Sequence, residues 1–217
     1  LMDVDESQPW HAATRTPFVA PDIIITERQG EPGEYEVTLV EQYRSALRIN
    51  PKYHAVAEQA QRGEGELSRE DAKHIQSYVA RANSFMGHVT SRRHTIKRVA
   101  LHVVERQKEF LRHGWRELRP LTQAQVADAL DLHESTVSRA TQDKYVLLPN
   151  GEVISFSDFF KPALSIHAAL RDIIAKESEP LTDAQLVEQL KQEGFYIARR
   201  TVSKYRNEMG VLPSTLR

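Results

Sequence analysis

Two short stretches carry side chains suited to gripping a polyanion. Residues 197–210 read IARRTVSKYRNEMG, and Ala198, Val202, Tyr205 and Met209 step by four, three and four, which draws one apolar stripe on a helix. Opposite the stripe lie Arg200, Ser203, Lys204 and Asn207, flanked by Arg199 and Arg206. No acid interrupts these cations before Glu208, so phosphate pairing is open to them, and an arginine can also reach guanine with two hydrogen bonds in a major groove. Arg200, nearly opposite the stripe, is the expected base contact, while Arg199 and Arg206 are expected on phosphates. Tyr205 falls on the apolar side and is expected to join the core, with its hydroxyl near the margin. Gly210 ends the helix and Pro213 prevents its continuation. The second stretch, HESTVSRATQ at 133–142, puts Val137, Ala140 and Thr141 on one side and Ser135, Arg139 and Gln142 on the other. Thr136 and Ser138 sit at the margins, and small hydroxyls beside an arginine suit close approach to DNA.

Both stretches belong to a repeated unit. LTQAQVADAL at 121–130 and LTDAQLVEQL at 181–190 stand sixty residues apart, and each precedes a related piece, STVSR at 135–139 or RTVSK at 200–204. The second copy has five extra residues in its connection. Thr122 is expected to cap a helix whose Val126, Ala129 and Leu130 face inward, with Asp131 and Leu132 making the turn. Two short helices of this kind form a helix-turn-helix pattern. Two unequal units on one chain predict an asymmetric, bipartite site rather than the palindrome a homodimer reads.

Upstream, helix is expected to dominate from Ser68 to Gly114, with Gly87 a candidate break. Val89, Ile96, Val103 and Phe110 recur every seven residues, consistent with a helix of about 33 Å at roughly 1.5 Å per residue. Arg92, Arg93, Lys97 and Arg98 lie on its polar side as candidate contacts to DNA or to a protein partner. Residues 81–120 carry ten Lys and Arg against three Asp and Glu, inside a chain of net charge -1. Such a block can attract phosphates or an acidic surface. Nearer the N-terminus, DIIITERQGEPGEYEVTLV alternates around a Gly/Pro loop and predicts a β-hairpin. EQYRSALRINPKY places Tyr43, Ala46 and Leu47 at helical spacing and is expected to stop before Pro51.

The residues argue against an enzyme. The nine histidines include no HExxH, and no P-loop, GxSxG or dinucleotide-binding glycine pattern occurs. Zero cysteines exclude disulfides and thiolate metal sites. No metal or cofactor is therefore expected. No apolar run approaches the ~20 residues that span a bilayer. Trp10 and Trp115 are expected as packing anchors.

ARRTVSKYRN resembles the RpoN box of the sigma-54 factors, the alternative bacterial transcription initiation factors. HESTVSRATQDKYV resembles that family's other helix-turn-helix, and the likeness continues through SRRHTIKRVALHVVERQKEFLRHG and, more weakly, back to residues 17–50. The resemblance implies a mainly α fold. Its parts would be the C-terminal part of a core-binding domain at 1–80, with a small hairpin, and an extra-long helix with the first helix-turn-helix at 81–149. A linker at 150–165 and an RpoN domain of three helices at 166–217 would follow. It implies that Arg199, Arg200, Ser203, Lys204, Tyr205, Arg206 and Asn207 face the GG of a minus-24 promoter element. Ser135, Thr136, Ser138, Arg139 and Gln142 would then face the GC of a minus-12 element. Ser203 and Asn207 depart from the usual alanine and glutamate. Implied partners are double-stranded promoter DNA, core RNA polymerase and ATP-dependent AAA+ activators, the last largely through an N-terminal region expected to lie outside this chain. A cytoplasmic location is implied. A stand-alone helix-turn-helix regulator with an N-terminal dimerisation module remains the alternative.

Overall fold

A computed structural model describes residues 19–40, 48–62 and 68–216. The fold is mainly α with one small sheet. Strands β1 (Ile23–Glu27) and β2 (Tyr35–Leu39) form the expected hairpin, in the register Ile23 to Leu39 and Ile25 to Val37. Ile23, Ile25, Tyr35 and Val37 alternate inward, so the period of two is what buries one face. The loop between them is held down from outside: Arg112 donates to the Pro32 carbonyl at 3.3 Å, and Lys108 pairs with Glu34 at 2.8 Å. Gly33 is needed there, because its φ is +81° and a Cβ would overlap the Arg112 guanidinium.

The expected helix over 43–47 lies outside the described residues. Residues 48–50 are not helical, so no helix runs into Pro51, and Pro51 itself opens the next one: α1 runs Pro51–Arg62, and the Asn50 side chain accepts from the Lys52 N–H at 3.0 Å. Helix α2 runs Arg69–Arg106 without interruption at Gly87. Its 38 residues reach about 57 Å. Ser68 caps its start by accepting from the Asp71 N–H. The expected boundary at residue 80 falls inside this helix, and the hairpin expected with residues 1–80 shares its sheet and core with the following unit.

The heptad pattern predicted a helix running on to Phe110, but α2 stops at Gln107. That side chain is fully buried and turns to the chain beyond: its Nε2 donates to the Arg119 carbonyl at 2.8 Å and its Oε1 accepts from the Arg119 N–H at 3.0 Å. Phe110 still reaches the core from α3 (Lys108–His113), its ring against Trp115 and Phe159. A 3-10 turn, Trp115–Glu117, leads to α4 (Gln123–Leu130) and α5 (Glu134–Thr141).

Strands β3 (Tyr145–Leu147) and β4 (Val153–Ser155) complete the sheet in the order β2-β1-β3-β4. The β1–β3 pair is parallel, with Ile23 opposite Val146. Residues 150–165, expected as a linker, contain β4 and the 3-10 turn Phe156–Phe160, whose Phe156 and Phe159 are buried in this same core. A second core is built by α6 (Ala163–Lys176), α7 (Asp183–Gln192) and α8 (Arg199–Glu208) around Leu170, Leu186, Leu190 and Val202.

Candidate nucleic-acid interface

The repeat is a repeat of physical contacts. Thr122 and Gln125 form a capping box at α4, and Thr182 and Gln185 form the same box at α7. Each helix then ends on a left-handed residue, Asp131 (φ 52°) or Gly194 (φ 91°). The next N–H, of Leu132 or Phe195, returns to the Ala127 or Leu190 carbonyl at 2.9 and 2.8 Å. Val137 and Val202, in matching places on α5 and α8, are both 0% exposed and anchor those helices inward.

On α5, Ser135 and Arg139 are exposed and Thr136 and Ser138 half-buried, and Gln142, which caps its C-terminal end, is exposed. Arg139 is folded back along its own helix: Nε donates to the Ser135 carbonyl at 3.0 Å and a terminal nitrogen to Ser135 Oγ at 3.1 Å. His133 caps the helix by accepting from the Ser135 N–H at 3.2 Å. Between α5 and α2 lies an open groove of about 910 Å³, lined by Arg92, Thr95, Thr136, Arg139, Gln142 and Lys144 among others. The geometry thus brings Arg92 of the long helix together with the α5 candidates. Lys97 is exposed but does not line the groove, and Arg93 is half-buried. Arg98 is half-buried and spends one terminal nitrogen on the Leu130 carbonyl at 2.7 Å, answering the negative end of α4.

On α8, Arg199, Arg200, Lys204 and Asn207 are exposed and Ser203 is half-buried. Among the described residues neither Arg199 nor Arg200 makes an ion pair, whereas Lys204 lies 3.6 Å from Glu208, an i,i+4 contact. Tyr205 packs into the second core and meets the His167 ring edge-on at 4.5 Å. Arg206 overturns its expected phosphate role. It is 4% exposed, its Nε donates to Asp183 at 2.8 Å, and a terminal nitrogen donates to the Val211 carbonyl. The helical angle placed it on the flank, and α7 closes over that flank.

Sequence reasoning missed Gln107, His133, Lys144 and Arg116. Arg116 joins the two units, donating to Asp172 at 3.2 Å and to Glu193 at 2.6 Å. A helix-turn-helix tyrosine or arginine announces itself by its face, but Gln107, Lys144 and Arg116 act through partners far along the chain, Arg119, Asp22 and Asp172 with Glu193, while His133 acts locally as an uncommon cap type.

Two helix-turn-helix units, each seating its second helix by a buried valine and turning polar groups outward, define a tandem helix-turn-helix protein. Residues 72–217 match the family described as Sigma-54, DNA binding domain, and the chain belongs to that family. It is 36% identical over 214 residues to the RNA polymerase sigma-54 factor of Azorhizobium caulinodans, covering 92% of this chain and 40% of that protein. The Escherichia coli K12 factor is 31% identical over 213 residues, with 92% and 43% covered. Among solved structures, Aquifex aeolicus sigmaN bound to promoter DNA is similar with a TM-score of 0.56 and 31% identity, covering 91% of this chain and 59% of that one. The chain therefore spans about two fifths of the length of the curated relatives it matches. Among the described residues no helix is long and apolar enough to cross a membrane.

Proposed function

We propose that this chain is the promoter-reading portion of a sigma-54-type transcription initiation factor. In this reading residues 166–217 hold α8 in the major groove at the GG, minus-24 element, and residues 81–149 hold α5 at the GC, minus-12 element. Arg200 contacts guanine, while Arg199 and Lys204 contact phosphates, with Ser203 and Asn207 beside them. At the other element Ser135, Thr136, Ser138, Arg139 and Gln142 face the duplex, and Arg92 follows the backbone across the groove. Tyr205 orients α8 from its inner side, and Arg206 does so through Asp183.

The observation that carries the reading is the outer face of α8, where Arg199 and Arg200 stand exposed without an ion pair among the described residues while Val202, Tyr205 and Met209 seat the helix. A merely solvated helix mixes signs to pair its charges. The relatives' name, RNA polymerase sigma-54 factor, supports core RNA polymerase as the partner of the longer protein. AAA+ activators would then act on that assembly, in the bacterial cytoplasm. The role is recognition, not catalysis, and calls for no cofactor.

Footprinting on a duplex carrying both elements, with and without core polymerase, checks this. Protection of both elements, extended or strengthened by core enzyme, is expected. Protection of a palindrome instead, unaffected by core enzyme, would identify a stand-alone regulator.

A further inference from the structure

The two units meet at a joint with few free torsions. The turn Phe156–Phe160 is locked into the first core, and α6 begins at Ala163, so only Lys161 and Pro162 intervene. Both are held: Lys161 pairs with Asp158 at 2.8 Å, and the Pro162 carbonyl accepts from Ser165 Oγ at 2.8 Å. Leu164, in the first turn of α6, packs against the first core, while Ala169, Leu170 and Ile173 of the same helix build the second. One helix therefore belongs to both units.

Arg116 closes the joint from the other side. It projects from the 3-10 turn before α4 and takes one carboxylate from α6, Asp172, and one from the end of α7, Glu193. Its side chain is 34% exposed, so these pairs add little to overall stability. Their value is geometric, because a planar guanidinium holds two carboxylates at set directions.

We infer that Arg116, with Asp172 and Glu193, is a spacing gauge: it fixes the separation and rotation of the two readers and so sets how many base pairs the chain accepts between its two elements. This rests on the reading that both α5 and α8 bind duplex DNA. Each inserted base pair displaces one element by about 3.4 Å and turns it by about 35° around the helix axis. A rigid joint cannot follow both movements, and a loosened joint can.

The experiment measures affinity of the full chain for duplexes carrying both elements at the preferred spacing, at one base pair more or fewer, and for each element alone. Arg116→Ala is expected to lower affinity at the preferred spacing by roughly three- to tenfold and to shrink the penalty for altered spacing by a similar factor. Binding to either single element should stay unchanged, which also reports an intact fold. Arg116→Lys, which keeps the charge without the fork, should show an intermediate spacing profile. An unaltered profile in Arg116→Ala, or an equal loss on single elements, overturns the gauge. Failure of the wild-type chain to bind either single element or the joined pair would instead overturn the DNA reading beneath it.

Discussion

The two helix-turn-helix units share a plan and differ in how their second helix is tied down. Thr141 of α5 and Arg206 of α8 occupy matching places, as do Gln123 of α4 and Asp183 of α7. In the first unit Gln123 Nε2 lies 3.4 Å from Thr141 Oγ1, a weak neutral contact. In the second, the same place holds an ion pair, Arg206 to Asp183 at 2.8 Å. The first unit can do with less because its core also includes the sheet and α2. The second has three helices and fastens α8 with charge. The outer faces differ in the opposite sense: Arg139 is engaged with Ser135, while Arg199 and Arg200 make no ion pair among the described residues. The larger unit thus presents the more self-occupied outer helix, and the smaller unit the more available one.

The largest expected break in this comparison comes from Arg206→Ala. Removing it leaves Asp183 without its partner and should destabilise the second unit by about 2–4 kcal/mol, less than a fully buried pair because Asp183 is partly exposed. Thr141→Ala at the matching place should cost about 1 kcal/mol or less. Hydrogen exchange separates the two: amides of Leu186 and Leu190 should lose protection in the first variant while that of Val126 keeps it. Equal loss in both units would mean that they unfold as one.

Arg200→Ala sharpens the outer-face contrast. It should cost about 1–3 kcal/mol on a specific duplex and relax base preference. Ser135→Ala, at the equivalent place on α5, should cost less, since it removes no cation. Competition binding with base-substituted duplexes measures both, and equal losses on specific and scrambled DNA would remove Arg200 from base recognition. The smallest effect is expected from Arg199→Ala, which should weaken all sequences alike and lower the slope of log affinity against log salt by about 1. A salt titration on two unrelated duplexes reads it directly.

What was legible in the chain was what short-range chemistry determines. The Thr122 cap, the Asp131 turn, the inward Val126 and Val137 and the hairpin alternation are local patterns, and the structure keeps each of them. The exposed faces of α5 and α8 were legible for the same reason. Long-range contacts were not. Nothing around Ile23 announces that its outer edge takes Val146, more than a hundred residues away. Arg206 and Arg98 looked like their exposed neighbours until α7 and the end of α4 were set against them. Gln107 is a good helix former, and it ends α2 because its amide matches the Arg119 backbone group for group.

The length of α2 has a mechanical meaning. Its buried stretch begins at Ile96, whereas the helix starts at Arg69, leaving an arm of about 40 Å beyond the core. Arg92 lies about 6 Å along that arm, at the rim of the groove shared with α5. Were Ile96 the pivot, a sideways swing of about 3.5 Å at the far end would become about 0.5 Å at Arg92, with the force there multiplied about sevenfold. A rigid helix pivoting at Ile96 would therefore deliver a weak pull at its tip as a firm, small push at the groove beside α5.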